Sequence, residues 1–187
     1  MKFFVISDTH GKTEKVKQVY ERLTGIDYLV HLGDLQSDAL ALEQELGVKV
    51  ISIKGNMDGS YSSNDYKIVE TEFGAILLVH GHMEKVKFSL QNLLYRAQEL
   101  NCKAVFFGHT HESFYSEFDG IYLLNPGSLS VPKESDKASY AIVHTKKDEF
   151  HASIVYYNTI MGTNSSSASG KIEGGYLKNL LNNSDRF

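Results

Sequence analysis

Five short stretches between Asp8 and His111 carry side chains that bind hard divalent cations: Asp8-Thr9-His10, Gly33-Asp34, Gly55-Asn56, His80-Gly81-His82 and Gly108-His109-Thr110-His111. Asp8 and His10 are one residue apart, so both can turn toward one ion, and His109 and His111 repeat that spacing. Asp34 is a candidate bridging carboxylate, since each of its oxygens can serve a different cation. Asn56 offers a neutral carbonyl oxygen and His80 an imidazole. Oxygen and nitrogen donors without thiolate suit Mn²⁺, Fe²⁺, Zn²⁺ or Ni²⁺, and donor type alone does not choose among them. Seven candidate ligands (Asp8, His10, Asp34, Asn56, His80, His109, His111) exceed the needs of one ion. Two ions about 3.5–4 Å apart can activate a bridging hydroxide and clamp a phosphoryl oxygen during in-line displacement. They also offset phosphate charge.

Each stretch falls where an apolar run stops. Residues 3–6, 28–32 and 48–53 read as buried strands. The i, i+3, i+4, i+7 stripe of Val16, Val19, Tyr20 and Leu23 predicts a helix over 12–23, and a second helix covers 38–46, closed by Gly47. This β-α-β-α-β alternation predicts parallel strands whose C-terminal ends share one rim, where ligands bind. Asp8, Asp34 and Asn56 all sit there. The glycines at 33, 55, 81 and 108 allow sharp turns and close backbone approach. Beyond residue 60, runs 66–72 and 75–79 flank Phe73-Gly74 as a hairpin. A helix then carries Val86, Leu90, Leu93, Leu94, Ala97 and Leu100 on one face, and strand 104–107 delivers the Gly108–His111 stretch. Runs 113–118, 121–124, 140–144 and 150–157 read as antiparallel strands. The expectation is two mixed sheets packed face to face with helices outside.

At 187 residues, with 42% hydrophobic and 22% charged content, the chain fits one soluble domain. A net charge of −4 with no basic stretch gives no strong nucleic-acid signal. Cys102 is the single cysteine, which excludes an intrachain disulfide and a thiolate metal cluster. The opening run is too short for a signal peptide, and no run approaches the ~18 apolar residues of a membrane span, so a cytoplasmic location is expected. Residues 1–158 form the expected domain. Residues 159–187 are expected to be a largely flexible or non-native C-terminal tail, because 162–175 is small and polar.

The ordered series D-x-H, GD, GN, H and GHxH resembles the calcineurin-like metallophosphoesterase superfamily. With the small size and the Asn125-Pro126-Gly127-Ser128 loop, it is similar to the YfcE-like subfamily of small phosphodiesterases. The resemblance covers residues 1 to about 158. It implies a four-layer α/β/β/α sandwich (the metallophosphoesterase fold) and a metal-dependent phosphodiesterase acting on a small phosphate ester. It also implies two divalent ions, Mn first, with Ni, Fe, Zn or Mg as alternatives. Carried over by position, Asp8, His10, Asp34 and His111 would hold the first ion, and Asp34, Asn56, His80 and His109 the second. Asp34, Asn56 and His82 are the candidates for direct catalytic roles; His82 is either substrate-facing, a supporting group beside His80, or a turn residue. Many members of the family carry a His after the Asn, where this chain has Met57 and then Asp58. That departure leaves open a non-catalytic scaffold resembling the retromer small subunit.

Other polar residues read as structural. His31 is expected to be a hydrogen-bonded packing histidine, Asp38 and Asp58 capping or turn residues, and His144 and His151 structural or surface groups. Asn125 and Ser128 read as a turn ahead of a strand, with a substrate or supporting contact as the alternative. Tyr61, Phe114 and Tyr115 are core or pocket aromatics. Antiparallel edge strands leave room for a homodimer.

Overall fold

The computed structural model describes residues 1–59 and 65–161. The expectations for Tyr61 and for segment 162–175 lie outside the described residues.

Two five-stranded mixed sheets stack face to face. The first has the order β10-β9-β1-β2-β3, where β1 is Lys2–Ile6, β2 is Tyr28–His31, β3 is Val50–Ser52, β9 is Ser139–Lys146 and β10 is Glu149–Tyr156. The strands β1, β2 and β3 pair in parallel, and β9 lies antiparallel to β1, with Phe4 opposite Ile142. Helices α1 (Glu14–Tyr20) and α2 (Gln36–Leu46) make the crossovers, as the alternation predicts. The second sheet has the order β4-β5-β6-β8-β7, with β4 Tyr66–Glu70, β5 Ala75–Val79, β6 Ala104–Phe106, β7 Ser113–Phe118 and β8 Ile121–Pro126. The expected hairpin is β4–β5.

Period-two alternation builds the layers. Phe3 and Val5 of β1 meet Ile76, Leu78, Phe106 and Leu124 of the other sheet to form the inter-sheet core. Phe4 and Ile6 face the other way, against Val16, Val19 and Leu42 of α1 and α2. On the far face of the second sheet, Leu77, Val79 and Val105 pack with Leu93 and Ala97 of α3 (Gln91–Glu99). The expected α/β/β/α sandwich is the observed one.

Three sequence expectations are corrected. Strands 113–118 and 121–124 do pair antiparallel, but β8 also runs parallel to β6, and β9 and β10 cross back to extend the first sheet. The third helix begins at Gln91 rather than near Val86; residues 82–88 form hydrogen-bonded turns instead, with Lys85 in a left-handed backbone (φ 56°) and Phe88 N bonded to Lys85 O. The first helix stops at Tyr20, where amides of Arg22 and Leu23 switch to the tighter i→i−3 bonding onto Val19 and Tyr20. A short helix α4, Tyr157–Met161, follows β10 and was not apparent in the pattern. No helix among the described residues is long and apolar enough to cross a membrane.

Candidate metal centre

Because β1, β2 and β3 are parallel, and β5 and β6 run parallel in the facing sheet, their C-terminal ends open on one rim. Asp8, Asp34, Asn56, His80 and His109 each follow one of those five strands within five residues. The rim is therefore assembled by topology, and all seven sequence-derived ligand candidates converge there.

The donor atoms stand close to one another. His10 Nδ1 lies 2.9 Å from Asp34 Oδ2, and His10 Nε2 lies 3.2 Å from His111 Nε2. His111 Nε2 is 3.4 Å and His80 Nε2 3.9 Å from Asp8 Oδ1. Asn56 Oδ1 stands 2.9 Å from His80 Nε2 and 3.0 Å from His109 Nδ1. Two groups of donors each lie within 4.8 Å of one another, Asp8–His10–His111 and Asp8–Asp34–His80. Asp8 thus stands between both groups, whereas positional carry-over put Asp34 in the shared role. Asp34 reaches both as well, since it also sits against His10. His82 is at the margin, its ring 5.4 Å from His80 and 6.1 Å from His109.

Tautomers are fixed from behind. His80 Nδ1 faces the Leu32 carbonyl at 2.7 Å, and His111 Nδ1 faces the Val131 carbonyl at 2.6 Å. A carbonyl only accepts, so each Nδ1 carries the proton and each Nε2 lone pair points into the cluster. Asp34 Oδ2 is buried and accepts no well-aligned hydrogen bond. This donor set suits a cation: inward lone pairs, two buried carboxylates and an amide oxygen.

Backbone strain marks the same residues. Nine non-glycine residues among those described have positive φ, and five of them are Asp8 (54°), His10 (49°), Asp34 (87°), His109 (67°) and His111 (59°). Left-handed backbone costs an ordinary residue about 1–2 kcal/mol, so the fold spends strain to aim these side chains. Two glycines make the close approach feasible. A Cβ on Gly55 would lie 2.0 Å from the Asp34 nitrogen, and one on Gly108 would lie 1.9 Å from Ser7 Oγ.

The electrostatics follow from burial and mutual contact. Burial raises the Asp8 carboxyl, but His111, His80 and Ser7 together outweigh it and leave Asp8 below the usual carboxylate range. Burial holds Asp34 above that range against the pull of His10. His109 is pushed down to about 4 by burial, then by His80 and Lys87, whereas the hydrogen bond to Asp8 raises His111. A cation would take the place of the proton shared between His111 and Asp8.

Several residues brace the donor loops from behind. Asn125, next to last in β8, forms a local turn, its Oδ1 accepting from Gly127 N at 2.9 Å, and also makes the supporting contact, its amide donating to Gly108 O and Thr110 Oγ1, both at 3.0 Å. Ser128 Oγ donates to the Asp8 carbonyl at 2.8 Å. Asp38 does not cap its own helix: its Oδ2 accepts from Thr9 Oγ1 at 2.6 Å and from Gly11 N at 2.8 Å, tying α2 to the first ligand loop. Asp58 accepts from Gln36 N and Gly55 N at 2.7 and 2.8 Å, a capping and turn role in line with expectation. His31, fully buried, is the expected packing histidine and links Thr9 Oγ1 (2.9 Å) to Gly33 N (3.3 Å). His144 and His151 face each other across β9 and β10, away from the rim. Cys102 is buried and free.

A cavity of about 590 Å³ lies at the opposite end of the first sheet, lined by Met1, Tyr28 and Lys49 among others, and shares no residue with the ligand cluster.

The family model of the calcineurin-like phosphoesterase superfamily domain matches residues 1–148. A probable metallophosphoesterase of Bacillus subtilis, YsnB, is 32% identical over 161 residues, covering 84% of this chain and 91% of that protein. The phosphodiesterase YfcE of Escherichia coli is 30% identical over 169 residues, covering 76% of this chain and 87% of its own. A crystal structure of a predicted phosphoesterase from Streptococcus pneumoniae superposes with a TM-score of 0.70 at 29% identity, covering 84% of this chain and 90% of that one.

Proposed function

Given that the chain belongs to the calcineurin-like phosphoesterase superfamily, we propose that it is a metal-dependent phosphodiesterase of the cytoplasm that cleaves a small phosphate ester with two divalent cations, Mn first among them. The observation that carries this reading is the convergence of seven donors from five strand ends, with the His80 and His111 lone pairs locked inward by backbone carbonyls. Asp8, His10, Asp34 and His111 would hold one cation, and Asp34, Asn56, His80 and His109 the other. Asp8 lies close enough to both groups to assist the second. Bound there, the cations lower the pKa of a water and stabilise charge on the phosphoryl oxygens.

The chain's own residues supply position. Asn125 and Ser128 hold the Gly108–His111 and Asp8 loops by bonding their backbone, so the donors need not reorganise when substrate arrives. Leaving-group protonation is where this chain departs from many relatives. Met57 has no proton to give, and both oxygens of Asp58 are engaged by backbone amides. His82 is the remaining imidazole beside the cluster, and burial lowers its pKa, so little of it carries a proton to donate at neutral pH. Esters with good leaving groups should therefore be favoured, because general-acid help is typically worth about 10²–10⁴-fold.

Asp34→Asn tests the reading: it keeps shape and removes the carboxylate charge. Turnover should fall by more than about 100-fold, and retention of turnover within a few-fold would refute the role. The exposed Met57 (56% accessible) favours one other reading, a metal-binding scaffold resembling the retromer small subunit. Two bound ions per chain with no hydrolysis of any ester would favour it.

A further inference from the structure

The turns between His82 and α3 are folded onto the donors. Lys85 N donates to the His82 carbonyl at 3.3 Å, and Val86 N to the Gly81 carbonyl at 3.2 Å. The Val86 side chain sits between two donor loops. A Cβ on Gly81 would meet Val86 Cγ2 at 2.9 Å and the Gly108 carbonyl oxygen at 3.6 Å. Gly108 directly precedes His109, and its amide donates to the His80 carbonyl at 3.0 Å. The other side of these turns is anchored to α3. Glu84 is buried and ion-paired with Arg96, and its carbonyl accepts from Asn92 Nδ2 at 3.0 Å.

With Glu84 and Val86 buried, Lys87 is left exposed. Its Cα is one peptide step, about 3.8 Å, from that of Val86. Its ammonium has no ion-pair partner among the described residues. The charge is nonetheless felt at the centre: after burial and His80, Lys87 is the next influence disfavouring a proton on His109. A positive charge beside a cation-binding imidazole works against a metal ion as it does against a proton. An anion held jointly by the lysine and the metal removes that conflict. Lysine suits the task, because a compact charge with three donors on a flexible stem can follow phosphate oxygens.

We propose that Lys87 is a substrate-binding residue whose ammonium pairs with a non-bridging phosphoryl oxygen on the His109 side of the centre. The inference rests on the phosphoesterase reading of that centre and gives a role to a residue outside its ligand set. Lys87 adds affinity for the phosphate and transfers no proton, so it acts on KM more than on kcat.

The test measures calorimetric binding of methylphosphonate to the manganese-loaded protein, beside KM and kcat for an aryl phosphodiester and the metal bound per chain. Lys87→Gln should weaken methylphosphonate binding and raise KM by about 5- to 30-fold, the scale of one charge-assisted hydrogen bond at an exposed position. Its kcat should stay within about threefold, and its bound metal should not change. Lys87→Ala repeats the test with a second neutral side chain, and Lys87→Arg should retain most of the affinity. Added salt should weaken binding to the unmodified protein more than to Lys87→Gln. Lys103→Gln makes the same charge change just before the opposite end of β6 and should bind like the unmodified protein. Unchanged affinity in Lys87→Gln, an equal loss in Lys103→Gln, or loss of bound metal in Lys87→Gln would overturn the assignment and leave the phosphoesterase reading intact. An unmodified, metal-loaded protein that neither binds methylphosphonate nor hydrolyses the diester would overturn both.

Discussion

Thr9→Val removes one hydroxyl from the ligand rim and almost nothing else. Thr9 is fully buried, and its Oγ1 donates to Asp38 Oδ2 at 2.6 Å while facing His31 Nε2 at 2.9 Å. His31 Nδ1 accepts from Gly33 N, so Nε2 carries the proton and donates to Thr9. One chain of bonds thus runs Gly33–His31–Thr9–Asp38 and joins the loops carrying Asp8, His10 and Asp34. Valine preserves the β-branch. It forfeits a bond to a charged acceptor, worth about 1.5–3 kcal/mol, and strands a buried imidazole N–H at about 1–3 kcal/mol. The added methyl returns about 0.8 kcal/mol. The net loss is about 2–5 kcal/mol, or about 4–20 °C in Tm for a chain of this size. Urea and thermal unfolding of chelator-treated protein would read it, with Thr9→Ser as the control that keeps the hydroxyl. Manganese affinity should drop about 10- to 100-fold as the loops lose their tie. If Thr9→Val were within 0.5 kcal/mol of the unmodified protein and bound metal equally well, the account of the tie would be wrong.

Two further predictions follow from the same geometry. Gly55→Ala places a Cβ 2.0 Å from the Asp34 nitrogen, a contact that only a backbone shift can relieve; stability should fall by about 1–3 kcal/mol, and metal titration should show Asp34 displaced through weakened binding at the sites it serves. His31 titrates at about 4 in the folded chain because it is buried, against about 6.5 when unfolded. The unfolded state therefore binds its proton first. Stability from this residue is complete above pH 6.5 and is lost as pH falls toward 4, by about 3 kcal/mol in all. Urea midpoints of metal-free protein across that window should show this slope, and His31→Asn should reduce it.

The ligand rim was legible because buried apolar runs end abruptly in Asp, Asn or His, and parallel topology puts those ends together. Partner choice among later strands was not. Pairing of β9 with β1, Phe4 opposite Ile142, joins residues far apart in sequence, and alternation alone fits either sheet. The start of α3 was obscured because Val86 and Leu90 keep helical spacing although residues 82–88 are folded as turns. Asp38 and Asn125 were read as local turn or cap formers because short polar residues usually bond nearby backbone. Asn125 does keep one such local bond, to Gly127 N, but Thr9 for Asp38 and Gly108 for Asn125 are partners that only the folded chain brings within reach.

The central claim is tested most directly by stripping the protein with chelator, adding back Mn²⁺, Ni²⁺, Mg²⁺ or Zn²⁺, and following an aryl phosphodiester beside its matching monoester while bound metal is counted. The account predicts two ions per chain and metal-restored hydrolysis that favours the diester. Two bound ions with no hydrolysis under any metal would contradict it and leave a metal-binding scaffold in its place.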